Sequence, residues 1–176
     1  SGTGVWVDAD LRPHFVPSVF RTEEGGTTAI FYAPHNSVYT VIESGFTFED
    51  LNGHWAQQDV ETLANKLVVQ GVDPNAFDPD SPVTRAEFTA MLVRALGLLE
   101  HPGTSVYTDI TIHEDAWYAG AVGAAHEAGL IGGYADGTFR PNAPVTREQM
   151  AVMIERAIRF AGGNPPHADA DALSRY

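Results

Sequence analysis

The sequence contains no cysteine, which excludes a disulfide framework and any thiolate metal site. It also lacks a run of about 18 consecutive apolar residues, so no segment reads as a transmembrane helix. Basic residues are few: ten Lys and Arg stand against 23 Asp and Glu, for a formal net charge of −13 and a pI near 4.7. That balance argues against nucleic acid and anionic membrane as partners, because affinity for phosphate needs a basic surface. Acidity of this kind keeps a protein soluble, and an anionic ligand would have to be held by a few well-placed arginines. The opening Ser1-Gly2-Thr3-Gly4 has no basic segment ahead of an apolar core, so no signal peptide is visible. Seven histidines, His54, His101, His113 and His126 among them, show no HExxH or other ligand spacing and predict no metal site. There is no nucleophile–base constellation and no carboxylate pair at glycosidase spacing. The expectation is a protein that is not an enzyme and carries no cofactor.

What the chain has is self-similarity. Pro82-Val83-Thr84-Arg85-Ala86-Glu87-Phe88 returns as Pro144-Val145-Thr146-Arg147-Glu148-Gln149-Met150, an offset of 62 residues. The same offset links Trp55 to Trp117, Gly71 to Gly133, Phe77 to Phe139, Pro79 to Pro141, Met91 to Met153 and Arg94 to Arg156. A fixed period means that each copy is a supersecondary unit that must pack on its neighbours.

Residues 1–45 read differently from the rest. Val5-Trp6-Val7, Thr28-Ala29-Ile30-Phe31-Tyr32 and Ser37-Val38-Tyr39-Thr40-Val41-Ile42 are short β-branched and aromatic runs, punctuated by Gly25-Gly26 and Pro34-His35-Asn36. This is a hairpin signal, read as the tail of a preceding β-rich domain. After Gly45 the period becomes helical. Ala56, Val60, Leu63 and Leu67 make one helical stripe, and Phe88, Met91, Leu92, Ala95 and Leu96 make a second after a turn-rich connection. Copy two offers Val122 and Ala125, then Met150, Met153, Ile154, Ala157 and Ile158. The repeats divide the chain into 46–100 and 101–163. A third copy begins over 164–176, where His167-Ala168-Asp169 matches Phe48-Glu49-Asp50 and Tyr176 stands at the place of Trp55 and Trp117.

Thr84-Arg85-Ala86-Glu87 and Thr146-Arg147-Glu148-Gln149 both fit a capping box, with threonine as N-cap and the residue three on reaching back. Threonine, glutamate and proline are thereby explained by helix initiation. Arginine is not: at the first helical position it sits beside the positive end of the helix dipole, a mildly unfavourable place. A local rule broken twice suggests a functional demand. One reading is a carboxylate or phosphate site, combining the guanidinium fork with free helix N–H donors. The other is an ion pair with a carboxylate of the adjacent unit.

Other features have bland readings. The glycines of Gly132-Gly133-Tyr134-Ala135-Asp136-Gly137 suit turns with positive φ, although the freed amides and Tyr134 could line a sugar site. Asp73, Asp78 and Asp80 lack the central glycine and terminal glutamate of a calcium loop, so capping is the reading. Trp55 and Trp117 open first helices, for packing or for stacking on a sugar ring.

Residues 46–176 resemble the S-layer homology (SLH) modules of bacterial surface proteins. The resemblance rests on Phe48-Glu49-Asp50-Leu51-Asn52-Gly53-His54-Trp55-Ala56, on Gly133-Tyr134-Ala135-Asp136-Gly137-Thr138-Phe139-Arg140-Pro141-Asn142 and on the two Thr-Arg helices. It implies a mainly α fold behind the β-rich segment, with helix–loop–helix modules around a pseudo-threefold helical bundle. It further implies non-covalent anchoring of an exported protein to the cell wall, at the bacterial cell surface. The partner it implies is a secondary cell-wall polysaccharide carrying ketal-linked pyruvate, bound in grooves between modules. Carried onto this sequence, the carboxylate would fall to Arg85 and Arg147. Ser81 and Trp55 would flank the first arginine, and Gly133, Tyr134, Asp136 and Trp117 would come from the second module. The incomplete third module predicts apolar faces that another copy of the chain could cover. The rival reading is a protein–protein assembly module in which both arginines make salt bridges.

Overall fold

The computed structural model describes residues 2–100, 106–110 and 116–163. Strand β1 (Thr3–Val7) lies between β2 (Pro13–Phe15) and β5 (Val38–Ile42) in an antiparallel three-stranded sheet. Val5 faces Phe15 on one side and Thr40 on the other. Strands β3 (Ser18–Glu23) and β4 (Gly26–Phe31) form a separate hairpin closed by Glu24-Gly25, with Gly25 at φ 110°. The β-branched runs marked β1, β4 and β5 in the sequence. Strands β2 and β3 were not legible because Pro13, Pro17 and Arg21 dilute their pattern.

The β segment docks on the helical part through polar and apolar contacts. Asn65 is the polar hinge: its carbonyl accepts from the Thr3 and Ser44 hydroxyls, and its side chain bonds both ways with the Phe46 backbone. Pro17 packs so closely on Gly97 that a Cβ there would sit 2.5 Å from the proline ring.

Helices α1 (Gln57–Asn65) and α2 (Arg85–Ala95) belong to the first repeat, α3 (Ala119–Glu127) and α4 (Arg147–Phe160) to the second. The expected pseudo-threefold helical bundle is not what forms. The described residues give four helices beside two small antiparallel sheets, and no helical bundle. The reason is length. Helices α1 and α3 have nine residues each, about two and a half turns, too short to line a bundle core. Loop residues supply much of the interior instead. One cluster joins Phe48, Leu51, Val68 and Val69 to Ala64 of α1; the larger joins Tyr107, Ile110, Leu130, Ile131 and Phe139 to α2, α3 and α4. The opening of the third repeat, His167 to Tyr176, lies outside the described residues.

Helix ends follow the repeat more faithfully than helix faces do. Both capping boxes form, Thr84 with Glu87 and Thr146 with Gln149. Each such cap contributes about 1 kcal/mol. Every helix closes with the same C-terminal bond, from the residue after an αL position back to the fifth residue before it: Val68 to Leu63, Leu98 to Val93, Leu130 to Ala125 and Gly163 to Ile158. Gly97, Gly129 and Gly162 hold that αL position, but the first helix uses Leu67 at φ 60°. Leu67 therefore leaves the stripe read from the sequence; α1 buries Ala64, and Leu63 is 41% exposed.

The aspartate common to the two repeat openings has a structural task. Asp50 accepts the backbone N–H groups of Phe77 and Asp78, and Asp109 accepts those of Phe139 and Arg140 at 2.7 Å each. Asp78 and Arg140, 62 residues apart, both sit at φ 60°, a strained value for a residue with a Cβ. The carboxylate holds the strained turn, and the turn sends the chain through Pro79 or Pro141 into the Thr-Arg helix.

Candidate ligand-binding site

Arg85 is the pivot of the junction between repeats. It occupies the first position of α2 and is only 5% exposed. Its Nε donates to the Phe139 carbonyl at 2.8 Å and its Nη2 to the Gly132 carbonyl at 3.1 Å. The guanidinium lies over the rings of Phe139, 4.7 Å from the centroid, and Tyr134, at 5.1 Å. These contacts replace the carboxylate ion pair weighed from the sequence: the partner is backbone carbonyl of the second repeat.

The first amides of α2 are also engaged. The Arg85 N–H donates to Ala143 O at 2.9 Å, the Ala86 N–H to Pro141 O at 3.0 Å, and Val145 N–H returns to Val83 O at 2.9 Å. The helix N-terminus is thus closed by the neighbouring repeat, not open to an anion. What remains for a ligand is the guanidinium edge. Of five N–H donors, two are spent on carbonyls, and no buried side-chain nitrogen among the described residues lacks a partner. The unspent Nη1 edge therefore reaches solvent.

It does so in a cavity of about 280 Å³ lined by Arg85, Gly132, Gly133, Tyr134, Gln149 and Arg156, with Glu148, Ile131, Val152 and Met153 completing the wall. Arg156 is a cation with no ion pair among the described residues. Two guanidiniums against the single carboxylate of Glu148 make this an electropositive spot on a chain of net charge −13. Their field reaches inward: burial pushes the Tyr107 hydroxyl up, and Arg85 and Arg156 oppose that shift. Tyr134 is fixed from three sides. Its hydroxyl accepts from Gln149 Nε2 at 2.9 Å, and the Arg140 guanidinium lies 4.0 Å from its ring centroid, as Arg85 does at greater distance.

Gly133 is required for close approach and not for a positive φ, since a Cβ there would sit 2.5 Å from the Tyr107 ring. Gly137, at φ 80°, is the turn glycine. Asp136 belongs to that same turn. It accepts from the Thr138 hydroxyl and amide and pairs with Arg140 at 2.9 Å. The Thr138 bonds, with help from Arg140, hold its carboxyl down to about 2.

The remaining expected residues lie elsewhere. Ser81 and Trp117 line a second cavity, about 270 Å³, with Gln70, Gly71, Val72, Phe77, Glu87 and Arg94. Trp55 is 87% exposed and borders a shallow cleft with His54, Gln58 and Glu61. Arg147 is exposed at the start of α4. The structure thus brings together Arg85, Gly133 and Tyr134, and adds Arg156 and Gln149, which the sequence reading did not assign. A signal existed for Arg156: it repeats Arg94 at the common offset, a cation recurring without a packing reason.

Comparison with known proteins agrees with this layout. Residues 47–89 and 106–151 match the family model described as S-layer homology domain. The chain is 37% identical over 138 residues to an amylopullulanase of Thermoanaerobacterium thermosulfurigenes, covering 78% of this chain and 7% of that protein. It is 34% identical over 119 residues to a cellulosome-anchoring protein of Acetivibrio thermocellus, covering 65% of this chain and 26% of the relative. A surface-layer 125 kDa protein of Lysinibacillus sphaericus is 31% identical over 125 residues, covering 71% and 10%. The chain therefore spans only a small part of each of these relatives.

Proposed function

This chain belongs to the S-layer homology domain family, and from that footing we propose that it holds an exported protein non-covalently on the bacterial cell wall. Cell-wall anchoring is the role supported at family level, by relatives as different as an amylopullulanase, a cellulosome-anchoring protein and a surface-layer protein. What those relatives share with this chain is the repeat region and not a common chemistry, which favours a binding module over a catalyst.

The finer reading concerns the ligand. We infer an acidic wall polysaccharide, bearing a ketal-linked pyruvate, bound at the junction of the two repeats. The observation that carries it is the Arg85–Arg156 pair in a concave site against an otherwise acidic surface. The free edge of Arg85 suits a carboxylate, Arg156 adds a second positive charge, and Gln149 supplies amide hydrogen-bonding capacity for sugar hydroxyls. The partly exposed ring of Tyr134 gives a surface for the sugar itself. Binding should weaken with salt, as partly exposed charge contacts do.

The test is competition. Retention on cell-wall polymer should fall when a free pyruvylated saccharide is added, and stay unchanged with the same saccharide stripped of pyruvate. Equal displacement by both would remove the carboxylate from the reading. Displacement by neither would favour the assembly reading, with the arginines in salt bridges to another protein.

A further inference from the structure

We propose that the cavity between the β segment and the first repeat binds a neutral sugar, its ring seated against the Trp6–His14 pair and its hydroxyls met by Arg12, Gln70 and Arg94. At about 410 Å³ this cavity is larger than the two described above, and it falls within the roughly 300–1,000 Å³ of small-molecule sites. Trp6, Asp8, Arg12 and His14 line one side; Leu67, Gln70, Arg94 and Glu100 line the other. The first four lie outside residues 47–89 and 106–151. The site therefore arises where the β segment docks on the repeat and is not a property of the repeat itself.

The aromatic wall is already built. The His14 ring stacks on Trp6, with 4.3 Å between centroids and 14° between planes, and His35 meets Trp6 edge-on at 4.8 Å. Asp8 fixes that stack, accepting from His14 Nε2 at 2.8 Å and from the Asp10 and Arg12 amides at 2.9 and 2.8 Å. Across the cavity, Leu67 stands at φ 60° where the other three helices place glycine. A residue with a Cβ is strained there, and the residue that bears the strain is one that lines the cavity. Strain kept at one member of a repeated set points to a local demand.

The polar groups left over define the ligand. Arg12 and Gln70 are exposed, and among the described residues their side chains make no hydrogen bond. Arg94 meets only Glu100, through Nε at 3.7 Å. No buried side-chain nitrogen among the described residues lacks a partner, so the Arg94 Nη groups reach open space. Charge selects neither sign: Asp8 and Glu100 stand against Arg12 and Arg94. What the cavity offers is an aromatic wall facing a polar one, with guanidinium and amide donors beside the Glu100 and Gln70 acceptors. A pyranose ring matches it, with an apolar face for the rings and hydroxyls that both donate and accept. This assignment uses none of the residues at the Arg85–Arg156 site and does not rest on a pyruvylated ligand.

The three tryptophans make the test local, because each indole N–H gives its own resonance and each lines a different cavity: Trp6 this one, Trp117 and Trp55 the others. Proton–nitrogen spectra of the full chain are recorded during titration with maltose, cellobiose and diacetylchitobiose, the indoles being assigned by Trp→Phe replacement one at a time. Glucuronate and glycylglycine serve as anionic and zwitterionic controls. At least one neutral disaccharide should move the Trp6 indole saturably and leave Trp55 and Trp117 in place. Arg12→Ala, on an exposed side chain, should weaken that binding about fivefold or more, with the rest of the spectrum unchanged. Arg156→Ala should not alter it. A Trp6 resonance that no neutral disaccharide moves overturns the proposal. A shift produced only by glucuronate or glycylglycine reassigns the cavity to a charged ligand and overturns it too. An Arg12→Ala titration identical to the wild type removes the polar wall from the site and has the same consequence.

Discussion

Arg85 in the first repeat donates to the main-chain carbonyl of Phe139 in the second, 54 positions along the chain and 2.8 Å away. One residue thereby ties two repeats together and leaves its outer edge in the cavity between them. Its repeat equivalent, Arg147, is exposed, and its side chain makes no hydrogen bond or ion pair among the described residues. The same residue in the same local sequence has two different environments, and the predictions follow from that difference.

Arg85→Ala should cost about 2–3 kcal/mol, because a charged donor serving two carbonyls is lost from a site that is almost wholly buried. Arg147→Ala should stay within about 0.5 kcal/mol, as exposed substitutions do. Urea unfolding of the two variants beside the wild type checks the contrast. Equal costs would mean that Arg85 is not the tie between repeats.

Asp109→Ala should cost about 2 kcal/mol by releasing the Phe139 and Arg140 amides and the strained turn at Arg140 that they fix. Arg140 sits over Tyr134, so ligand affinity should fall together with stability. Thermal melting and binding measured on one preparation would show whether the two losses move together.

Gly129→Ala should cost about 1 kcal/mol. The backbone is at φ 70°, where a Cβ is strained, yet no atom lies within 4 Å of the added methyl. The effect is therefore purely conformational, and a thermal scan should show a lowered midpoint with no change in the far-ultraviolet spectrum.

Acid should destabilise the chain through Asp136 and Asp50. The Asp136 carboxyl titrates at about 2 when folded, against about 3.9 in an unfolded chain. The Asp50 carboxyl is lowered too, first by the Phe77 amide and then by that of Asp78. Folded carboxylates with depressed values bind fewer protons than unfolded ones, so their contribution is complete above about pH 4 and disappears as pH falls toward 2. Urea midpoints measured across that interval should decline, and Asp136→Asn should flatten part of the decline.

Much of this arrangement was legible in the sequence. The repeat offset located both capping boxes, the paired turns and the Thr-Arg positions, because caps and turns depend on a few adjacent residues. The helical faces were less legible. Leu67 fits the periodic stripe yet ends the helix, since periodicity does not report where a chain takes an αL residue. The expected bundle failed because loop residues such as Phe48, Leu130 and Phe139 do the burying that was assigned to helices. In the site, chemistry marked Arg85 and Tyr134, but only three-dimensional packing could reveal that Arg85 shares a cavity with Arg156 and that Trp55 stands apart.

The most direct test of the central claim is co-sedimentation of this chain with purified bacterial cell-wall sacculi, before and after chemical removal of ketal-linked pyruvate, with Arg156→Ala run beside the wild type. Arg156 is exposed and makes no ion pair among the described residues, so its replacement should leave the fold intact. The account predicts that the bound fraction falls on loss of pyruvate and falls again, on intact walls, with Arg156→Ala. Binding indifferent to both changes would contradict it.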